Sequence, residues 1–353
     1  MISLHTLKSC GRTGTAAWCI VRLGPGSQHE VTIVRTRLVA LCFLLVCGIA
    51  YAQTEPPIKV LIVDGFSNHD WARTTALIRG VLEPTKRFRV DVATCPAKPT
   101  DPGFVTFRPR LADCDVVLLN CNSLGSGGQW PAELRGDFVN FVREGGGVFV
   151  FHSANNSFAG WAEYDRIIGL GWRGKDAGTA ITIGPNGETQ RIPPGEGAGT
   201  SHGPRTDRVV YRLGDHPIHA GLPRRWMAPT IEVYTYARGP AEELTVLSCA
   251  EDPATKTRWP VEWTVTYGKG RVYNSVFGHV WRGEADPPGM RCAGFQTILV
   301  RALQWLANRV RWRRPSEGRA AGADESWRSC GEQGPGRSGR ILLRPSTIAS
   351  GWH

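Results

Sequence analysis

Short apolar runs that end in turn residues alternate with amphipathic stretches through the first half of the chain. The four apolar runs are IKVLIVDG (58–65), FRVDVATC (88–95), DVVLLNC (115–121) and GVFVFHS (147–153). Such nearly continuous runs are typical of parallel strands that are buried on both faces. Residues 69–85 and 131–147 instead place their apolar side chains on one helical face. This order predicts an α/β fold with a doubly wound, mostly parallel sheet and helices on both faces.

The second half of the chain predicts shorter strands and one closing helix. The turn residues at 267–270, Tyr-Gly-Lys-Gly, divide residues 260–279 into the two arms of a hairpin. Residues 295–310 repeat apolar side chains at helical spacing and predict the closing helix. Further short strands are predicted at 180–185, 209–213, 232–237 and 244–250. Together these elements predict one domain over residues 56–310.

The segments on either side of this domain have a different composition. Residues 35–53 combine two arginines, an apolar stretch and Ala50-Tyr51-Ala52 before Gln53, which is the pattern of a secretory signal. We therefore predict a signal peptide over 31–52, a secreted or periplasmic location, and no membrane association after cleavage. Residues 1–30 are interpreted as a misassigned N-terminal extension. Residues 311–353 are rich in Gly, Arg and Ser without apolar periodicity, and we predict a disordered tail.

Charge and cysteine content exclude two classes of function. The formal net charge is +11, but most of the excess lies outside residues 58–310, and no basic stripe alternates with aromatic residues. The sequence therefore predicts no nucleic-acid partner. The domain contains no C-x-x-C pair, so a zinc ribbon or a dithiol redox motif is not expected. The pairing of its cysteines stays open; they are Cys95, Cys114, Cys121, Cys249 and Cys292.

Several polar residues follow the predicted strands, where the sites of open α/β sheets lie. His69 comes shortly after the first strand, His152 ends the fourth, and His279 ends the second arm of the hairpin. Neutral imidazoles move protons or bind metals near pH 7. With Glu232 they make a set of three histidines and one carboxylate, which suits zinc or another divalent metal. We predict His152, His279 and Glu232 as catalytic residues and His69, His152 and His279 as metal ligands, with a metal-free polar pocket as the alternative.

A carboxylate beside aromatic residues suits the binding of a sugar, and Glu232 lies close to Tyr234 in the sequence. The residues predicted to bind substrate are His69, Ser153, Asn155, Trp161, His202 and Tyr234. Tryptophans are more often packed in a hydrophobic core than exposed at a binding site, so packing in the core is the alternative role for Trp161. Ser153 lacks the glycines of a G-x-S-x-G nucleophile elbow, which moves the expected chemistry from Ser153 to His152.

The order and spacing of several longer segments resemble the trehalose-utilisation (ThuA-like) family over residues 58–310. These segments are GGGVFVFHSANNSFAGWAEYDRIIGLGWR, DHPIHAGLP, EVYTYARGPAEELTVLSCA and PVEWTVTYGKGRVYNSVFGH, followed by the closing helix. The resemblance implies a flavodoxin-like sheet of the class I glutamine amidotransferase-like type and a link to carbohydrate metabolism. In the glutamine amidotransferases of this type, a nucleophilic cysteine follows the strand that corresponds to the fourth predicted strand of this chain. His152-Ser153-Ala154 stands there instead, so we do not expect that activity.

These observations lead to two hypotheses for the function. The first is an exported protein that carries out acid–base or metal-assisted chemistry on a sugar or keto-sugar derivative, with a small-molecule carbohydrate as its partner. The second is a non-catalytic carbohydrate-binding or scaffold module with the same fold.

Overall fold

The computed structural model describes residues 55–124 and 128–308. The predicted signal peptide (31–52), the segment that precedes it (1–30) and the predicted tail (311–353) lie outside the described residues. Within the described part, no helix combines the length and the apolarity that are needed to span a bilayer. All five described cysteines are free thiols, so the described part of the chain contains no disulfide.

The first half of the described chain follows the predicted alternation of strands and helices. Its elements are β1 (Ile58–Asp64), α1 (Trp71–Leu82), β2 (Phe88–Thr94), α2 (Pro102–Val105), β3 (Val116–Leu119), α3 (Ala132–Arg143), β4 (Gly147–Phe151) and α4 (Ala162–Ile168). Helix α1 begins after Asp70, whose carboxylate accepts a 3.0 Å hydrogen bond from the backbone amide of Arg73. Such a cap satisfies one of the free amides of the first helical turn.

The second half consists mainly of strands. They are β5 (Thr179–Ile183), β6 (Thr189–Ile192), β7 (Ser201–His202), β8 (Thr206–Arg212), β9 (Arg225–Ile231), β10 (Tyr234–Thr235), β11 (Arg238–Gly239), β12 (Leu244–Glu251), β13 (Arg258–Tyr267) and β14 (Gly270–Ser275). Two helices follow, α5 (Pro288–Arg291) and α6 (Ala293–Leu306). The predicted hairpin is confirmed, because β13 and β14 pair antiparallel around residues 267–270.

One large sheet organises the described residues, with the strand order β2-β1-β3-β4-β14-β13-β12-β8-β9. The strands from β2 to β14 are parallel. Those from β13 to β9 pair antiparallel. The order of the parallel strands is that of a flavodoxin-like sheet, which confirms the predicted α/β fold. Strand β5 joins the sheet through β13 and carries β6 and β11, whereas β7 and β10 form a separate pair.

The pairing of β4 with β14 positions the candidate residues. Phe151 at the end of β4 lies opposite Ser275 at the end of β14, although the two residues are far apart in the chain. Every residue of β4 is buried. Helix α6 packs against both strands and against α1, and its apolar face is buried. The segments that leave β4 and β14 therefore start side by side at the carboxyl edge of the sheet.

A buried ionic network joins the antiparallel half of the sheet. Glu262 on β13 is fully buried and accepts hydrogen bonds from Ser248 on β12, from Tyr273 on β14 and from His219, whose Nε2 lies 3.1 Å away. Burial by itself would raise the pKa of Glu262, but the charge of His219 and these hydrogen bonds hold it below its ordinary value. The network thus keeps a charged carboxylate inside the core, which is tolerated only when it is fully paired.

The structure differs from the predicted elements in several places, and the short strands β6, β7 and β11 were not predicted. The strand predicted at 232–237 contains only Tyr234–Thr235, because the backbone takes left-handed conformations at Thr230 and Tyr236 on either side of it. Strand β9 was not predicted, because it is an edge strand with mixed exposure and a proline at 229, and so shows no clean alternation.

Candidate active site

His152 lies immediately after β4, at the point where the strand turns into a short 3-10 helix, His152–Asn156. Its φ angle is +44°, a left-handed conformation that residues other than glycine rarely adopt. Its Nδ1 lies 2.8 Å from the carbonyl oxygen of Val276. A carbonyl only accepts, so Nδ1 carries the proton and Nε2 presents a lone pair. The turn therefore places His152 at the end of the strand, and the hydrogen bond to Val276 defines its tautomer.

His279 comes from the segment that follows β14. This segment passes directly against Phe151, since a Cβ on Gly278 would lie 2.2 Å from the ring of Phe151. Gly278 also has a φ angle of +88°, which favours glycine. The close passage brings the ring of His279 to 5.0 Å from the ring of His152.

His69, from the loop after β1, completes a triangle of imidazoles. Its ring centre lies 5.0 Å from that of His152 and 4.7 Å from that of His279, with edge-to-face geometry in both pairs. One nitrogen from each of the three rings lies within 4.8 Å of the other two. The structure thus brings together the three histidines that were predicted as metal ligands.

Glu232 follows β9 and faces the same triangle. Its Oε1 lies 3.3 Å from Nε2 of His279, and its Oε2 lies 3.8 Å from Nε2 of His152. His202 approaches from the rim, with its Nε2 3.9 Å from Oε1 of Glu232. His202 is placed there by the pairing of β7 with β10, in which it lies opposite Tyr234. The predicted catalytic residues His152, His279 and Glu232 therefore share one cluster, with His202 at its edge.

Burial controls the protonation of this cluster. Burial, together with the nearby charge of Arg205, lowers the pKa of His69 to about 4. Burial, His69 and Arg205 lower the pKa of His279 to about 3, and burial lowers that of His152 well below its ordinary value. Burial also raises the pKa of Glu232, an effect that His202 and Arg205 oppose. These three imidazoles are therefore neutral near pH 7, and Glu232 binds a proton more readily than an exposed glutamate does.

The cluster offers a divalent cation two ring nitrogens that have no hydrogen-bond partner among the described residues. Nε2 of His152 and Nδ1 of His69 are buried and have no hydrogen-bond partner among the described residues. The hydrogen bond from Nδ1 of His152 to a backbone carbonyl is the arrangement that usually orients a metal-bound histidine. Three histidines with a nearby carboxylate match the donor set of a catalytic zinc site. The residues present therefore fit a divalent metal as well as a metal-free proton-transfer pocket.

Aromatic side chains surround the cluster on two sides. The buried ring of Tyr234 lies 5.9 Å from that of His152, and Trp172 lies 5.3 Å from Tyr234 and 5.7 Å from His202. Trp281 is 47% exposed and stacks on His279 with an angle of 18° between the rings. An exposed indole beside polar groups is a surface on which a sugar ring can stack.

Other predicted substrate-binding residues have different surroundings. Trp161 is 4% exposed and packs in an aromatic cluster with Trp130, Phe158 and Tyr164, as expected from the core alternative. Ser153 is buried, and no hydrogen bond joins it to a histidine among the described residues. Asn155 is buried, and its amide group has no hydrogen-bond partner within the described part of the chain. The structure thus places Trp161 in the core and leaves the roles of Ser153 and Asn155 as predictions.

Two further charged residues were not singled out by the sequence: Arg205 lies against the cluster, and Glu284 pairs with Arg205. Arg205 precedes β8 and contacts both His279 and Glu284, which follows Trp281 in the chain. Both side chains come from irregular loops with no motif or periodicity. No sequence signal distinguishes them from the many other arginines and glutamates of the chain, so only their three-dimensional contacts identify them.

Comparison with known proteins gives three findings. A family model described as "ThuA: Trehalose utilisation" matches residues 59–306. The crystal structure of a ThuA-like protein from Parabacteroides merdae is similar to this chain, with 30% identity and a TM-score of 0.66 over 74% of this chain and 94% of that chain. A glutamine amidotransferase from Thermotoga maritima is similar at 13% identity and a TM-score of 0.37, over 71% of this chain and 98% of that chain. No curated protein matches the sequence.

Proposed function

This chain belongs to the trehalose-utilisation (ThuA) family, and from that premise we propose that its histidine–glutamate cluster carries out acid–base or metal-assisted chemistry on a sugar or keto-sugar derivative. The family gives the chain a role related to trehalose utilisation. The cluster consists of His69, His152, Glu232 and His279. It follows the carboxyl ends of β4 and β14, the edge at which open α/β sheets bind ligands.

The single observation that supports this proposal is the convergence of three neutral imidazoles, two of which, those of His152 and His279, lie within 4 Å of the buried carboxylate of Glu232. In a metal-free reaction, Nε2 of His152 accepts a proton and the protonated form of Glu232 donates one, while Nε2–H of His279 donates a hydrogen bond. His69, His152 and His279 would hold a divalent metal, which would supply Lewis-acid polarisation of a carbonyl or hydroxyl oxygen of the substrate. In both versions Trp281 and Trp172 provide surfaces for the sugar ring.

The test combines metal analysis with a screen for turnover. Purified full-length protein is analysed for bound metal and incubated with trehalose, other disaccharides and their keto forms. We expect at least one sugar to be converted, and His152→Ala to abolish the conversion. His216→Gln is the matched control, because His216 packs on Trp305 and makes no contact with the cluster.

The alternative is a carbohydrate-binding module that uses the same pocket without chemistry. The half-exposed Trp281 at the edge of the cluster favours it, because a binding module needs the aromatic surface but not the histidines. Sugars that bind but are recovered unaltered, from a protein that contains no metal, would contradict the catalytic proposal and support this alternative.

We also propose that the signal peptide predicted over 31–52 directs export of the protein and is then cleaved. N-terminal sequencing of the protein recovered from the periplasmic or secreted fraction is expected to begin at Gln53. Recovery of uncleaved protein from the cytoplasm alone would contradict export.

A further inference from the structure

Arg205 forms a short contact with one ring nitrogen of His279. Its Nη1 lies 2.5 Å from Nδ1 of His279. A guanidinium has five N–H donors and no acceptor, so Nδ1 of His279 must accept. A neutral His279 then carries its proton on Nε2, the atom that lies 3.3 Å from Oε1 of Glu232. Arg205 therefore determines which nitrogen of His279 is able to donate a hydrogen bond to the cluster.

His152 has the opposite arrangement. Its Nδ1 donates to the carbonyl oxygen of Val276, so its Nε2 carries a lone pair. This lone pair is buried and has no hydrogen-bond partner within the described residues. The two histidines thus present different forms of Nε2 to the same carboxylate: a donor on His279 and an acceptor on His152.

The same contact opposes the use of His279 as a metal ligand. A metal-bound histidine normally donates its second ring N–H to a carbonyl or a carboxylate. On His279 that second position faces a cation that has only donors. Arg205 also places a positive charge beside the nitrogens that would surround a metal ion, and like charges at such distances repel strongly in a partly buried site.

Arg205 is itself held in this position. Its Nη1 and Nη2 donate to the two carboxylate oxygens of Glu284 at 2.9 and 3.1 Å. Glu284 also accepts a 3.1 Å hydrogen bond from the backbone amide of Trp281, the residue that stacks on His279. Paired bonds of this kind fix the orientation of a guanidinium as well as its position.

We propose that Arg205, held by Glu284, is a positioning residue that keeps His279 in the tautomer whose Nε2–H donates a hydrogen bond to the cluster, and that it prevents a divalent cation from binding to His279. This inference rests on the proposed function, because it specifies which of the two chemistries the cluster supports with Arg205 in place. The cluster acts as a proton-transfer site in this arrangement, and metal binding through His279 requires Arg205 to move away.

The first test measures the tautomer of His279 directly. Two-dimensional ¹H–¹⁵N spectra of the histidine rings are recorded on the ¹⁵N-labelled, metal-free, full-length protein, and His279→Gln identifies the signals of that ring. We expect the proton on Nε2. A proton on Nδ1 of His279 in the unaltered protein would overturn the proposal.

The second test measures binding of Co²⁺, whose visible spectrum distinguishes histidine and carboxylate ligands from thiolates. We expect Arg205→Met to tighten Co²⁺ binding at the cluster by about tenfold or more, because it removes both the donor and the charge. Arg205→Lys keeps a hydrogen-bond donor and a positive charge, so we expect this variant to bind Co²⁺ as weakly as the unaltered protein does. Loss of a merely structural arginine would loosen the site and weaken binding, so tighter binding identifies the proposed role.

Controls separate this effect from general changes of the protein. Arg208→Met is the matched control, because Arg208 lies on the neighbouring β8 strand and donates to the backbone of Asp207, outside the cluster. We expect its Co²⁺ affinity to be unchanged. Near-ultraviolet circular dichroism establishes whether each variant is folded. If Arg205→Met does not fold, the neutral variant Arg205→Leu, which also lacks a hydrogen-bond donor, decides the question in the same assay.

Unchanged or weaker Co²⁺ binding in the folded neutral variant would overturn the proposal. Neither test requires turnover, so this outcome is distinguishable from failure of the proposed function. A protein that converts no sugar still reports the tautomer of His279 and its affinity for Co²⁺.

Discussion

Glu232 lies between 3.3 and 3.9 Å from ring nitrogens of His152, His202 and His279, and burial determines how Glu232, His152 and His279 hold their protons. Burial disfavours the charged forms, which lowers the pKa of His152 and His279 and raises that of Glu232. The contacts of Glu232 with His152 and His279 are therefore polar contacts with imidazoles that are neutral near pH 7. This arrangement supports the proposed proton transfer, because the buried groups have no full hydration shell to lose.

Replacement of Glu232 tests its role as a proton-transfer group. We expect Glu232→Gln to lower kcat by about 10²–10⁴-fold on the sugar that the screen identifies, because the amide keeps the shape of the side chain but does not take up a proton. Steady-state kinetics give the measurement. Glu242→Gln is the control, since Glu242 is exposed beside Arg166, and equal activity of both variants would contradict the role of Glu232.

The lowered pKa values predict that the metal-free protein loses stability as the pH falls from about 6.5 toward 4. In the unfolded chain, His69 and His279 take up protons near the ordinary histidine pKa of 6.5, but in the folded protein they do so only at about 4 and about 3. The unfolded state binds more protons over this range, so the free energy of unfolding decreases with falling pH.

Thermal unfolding at a series of pH values, with a chelator present, measures this effect. His69→Gln is expected to flatten the dependence without removing it, because His279 and the more distant His216, with a pKa of about 4, also contribute. The same slope in the variant and in the unaltered protein would show that His69 does not contribute.

Two neighbouring parallel strands, β4 and β14, carry the cluster at the scale of elements. Each ends in an abrupt change of direction: His152 takes a left-handed conformation after β4, and Gly278 takes one after β14. The hairpin between β13 and β14 returns the chain to the edge of β4, so residues separated by more than a hundred positions become neighbours. Strand pairing therefore determines the distance between His152 and His279.

The close passage of Gly278 over Phe151 makes this position intolerant of substitution. A Cβ there would lie 2.2 Å from the ring, and the φ angle of +88° would be strained. We expect Gly278→Ala to lower the free energy of unfolding by about 2–5 kcal/mol. Chemical denaturation of the variant and of the unaltered protein measures this loss in the free energy of unfolding.

Gly221→Ala provides the matched control for this substitution. Gly221 has a φ angle of +74° but no atom within 4 Å of an added Cβ, so we expect a loss of only about 1–2 kcal/mol. Equal losses for the two variants would show that backbone strain alone, without the contact with Phe151, limits position 278.

Over the whole molecule, the cluster forms where the parallel and antiparallel halves of the sheet meet. The parallel half contributes His69, His152 and His279 from segments that follow β1, β4 and β14. The antiparallel half contributes Glu232 from the segment after β9 and Arg205 from the loop before β8. Neither half holds a complete set, so the proposed proton transfer requires the whole sheet to be assembled.

The tail predicted as disordered is expected to contribute nothing to this assembly. Deletion of residues 311–353 should leave the melting temperature of the protein unchanged, because a segment without apolar periodicity buries little surface. Differential scanning calorimetry of the shortened and the full-length chains gives the comparison. A large drop in melting temperature would contradict the prediction.

The amino-acid sequence by itself determined the α/β alternation, the hairpin at 267–270 and the membership of the family. Apolar periodicity is a local property, and it records which face of each element is buried. The same pattern located His152 and His279 at strand ends, and Glu232 beside its aromatic neighbours. These parts of the site could be proposed before any distance was known.

The tertiary structure alone decided which of these residues meet and how they hold their protons. It separated Trp161, in the core, from Trp281, at the edge of the cluster. It also brought Arg205 to His279 across 74 positions of the chain, a contact that no local pattern records. The physical reason is that tautomers and pKa values depend on burial and on through-space contacts, which exist only once the sheet has brought distant segments together.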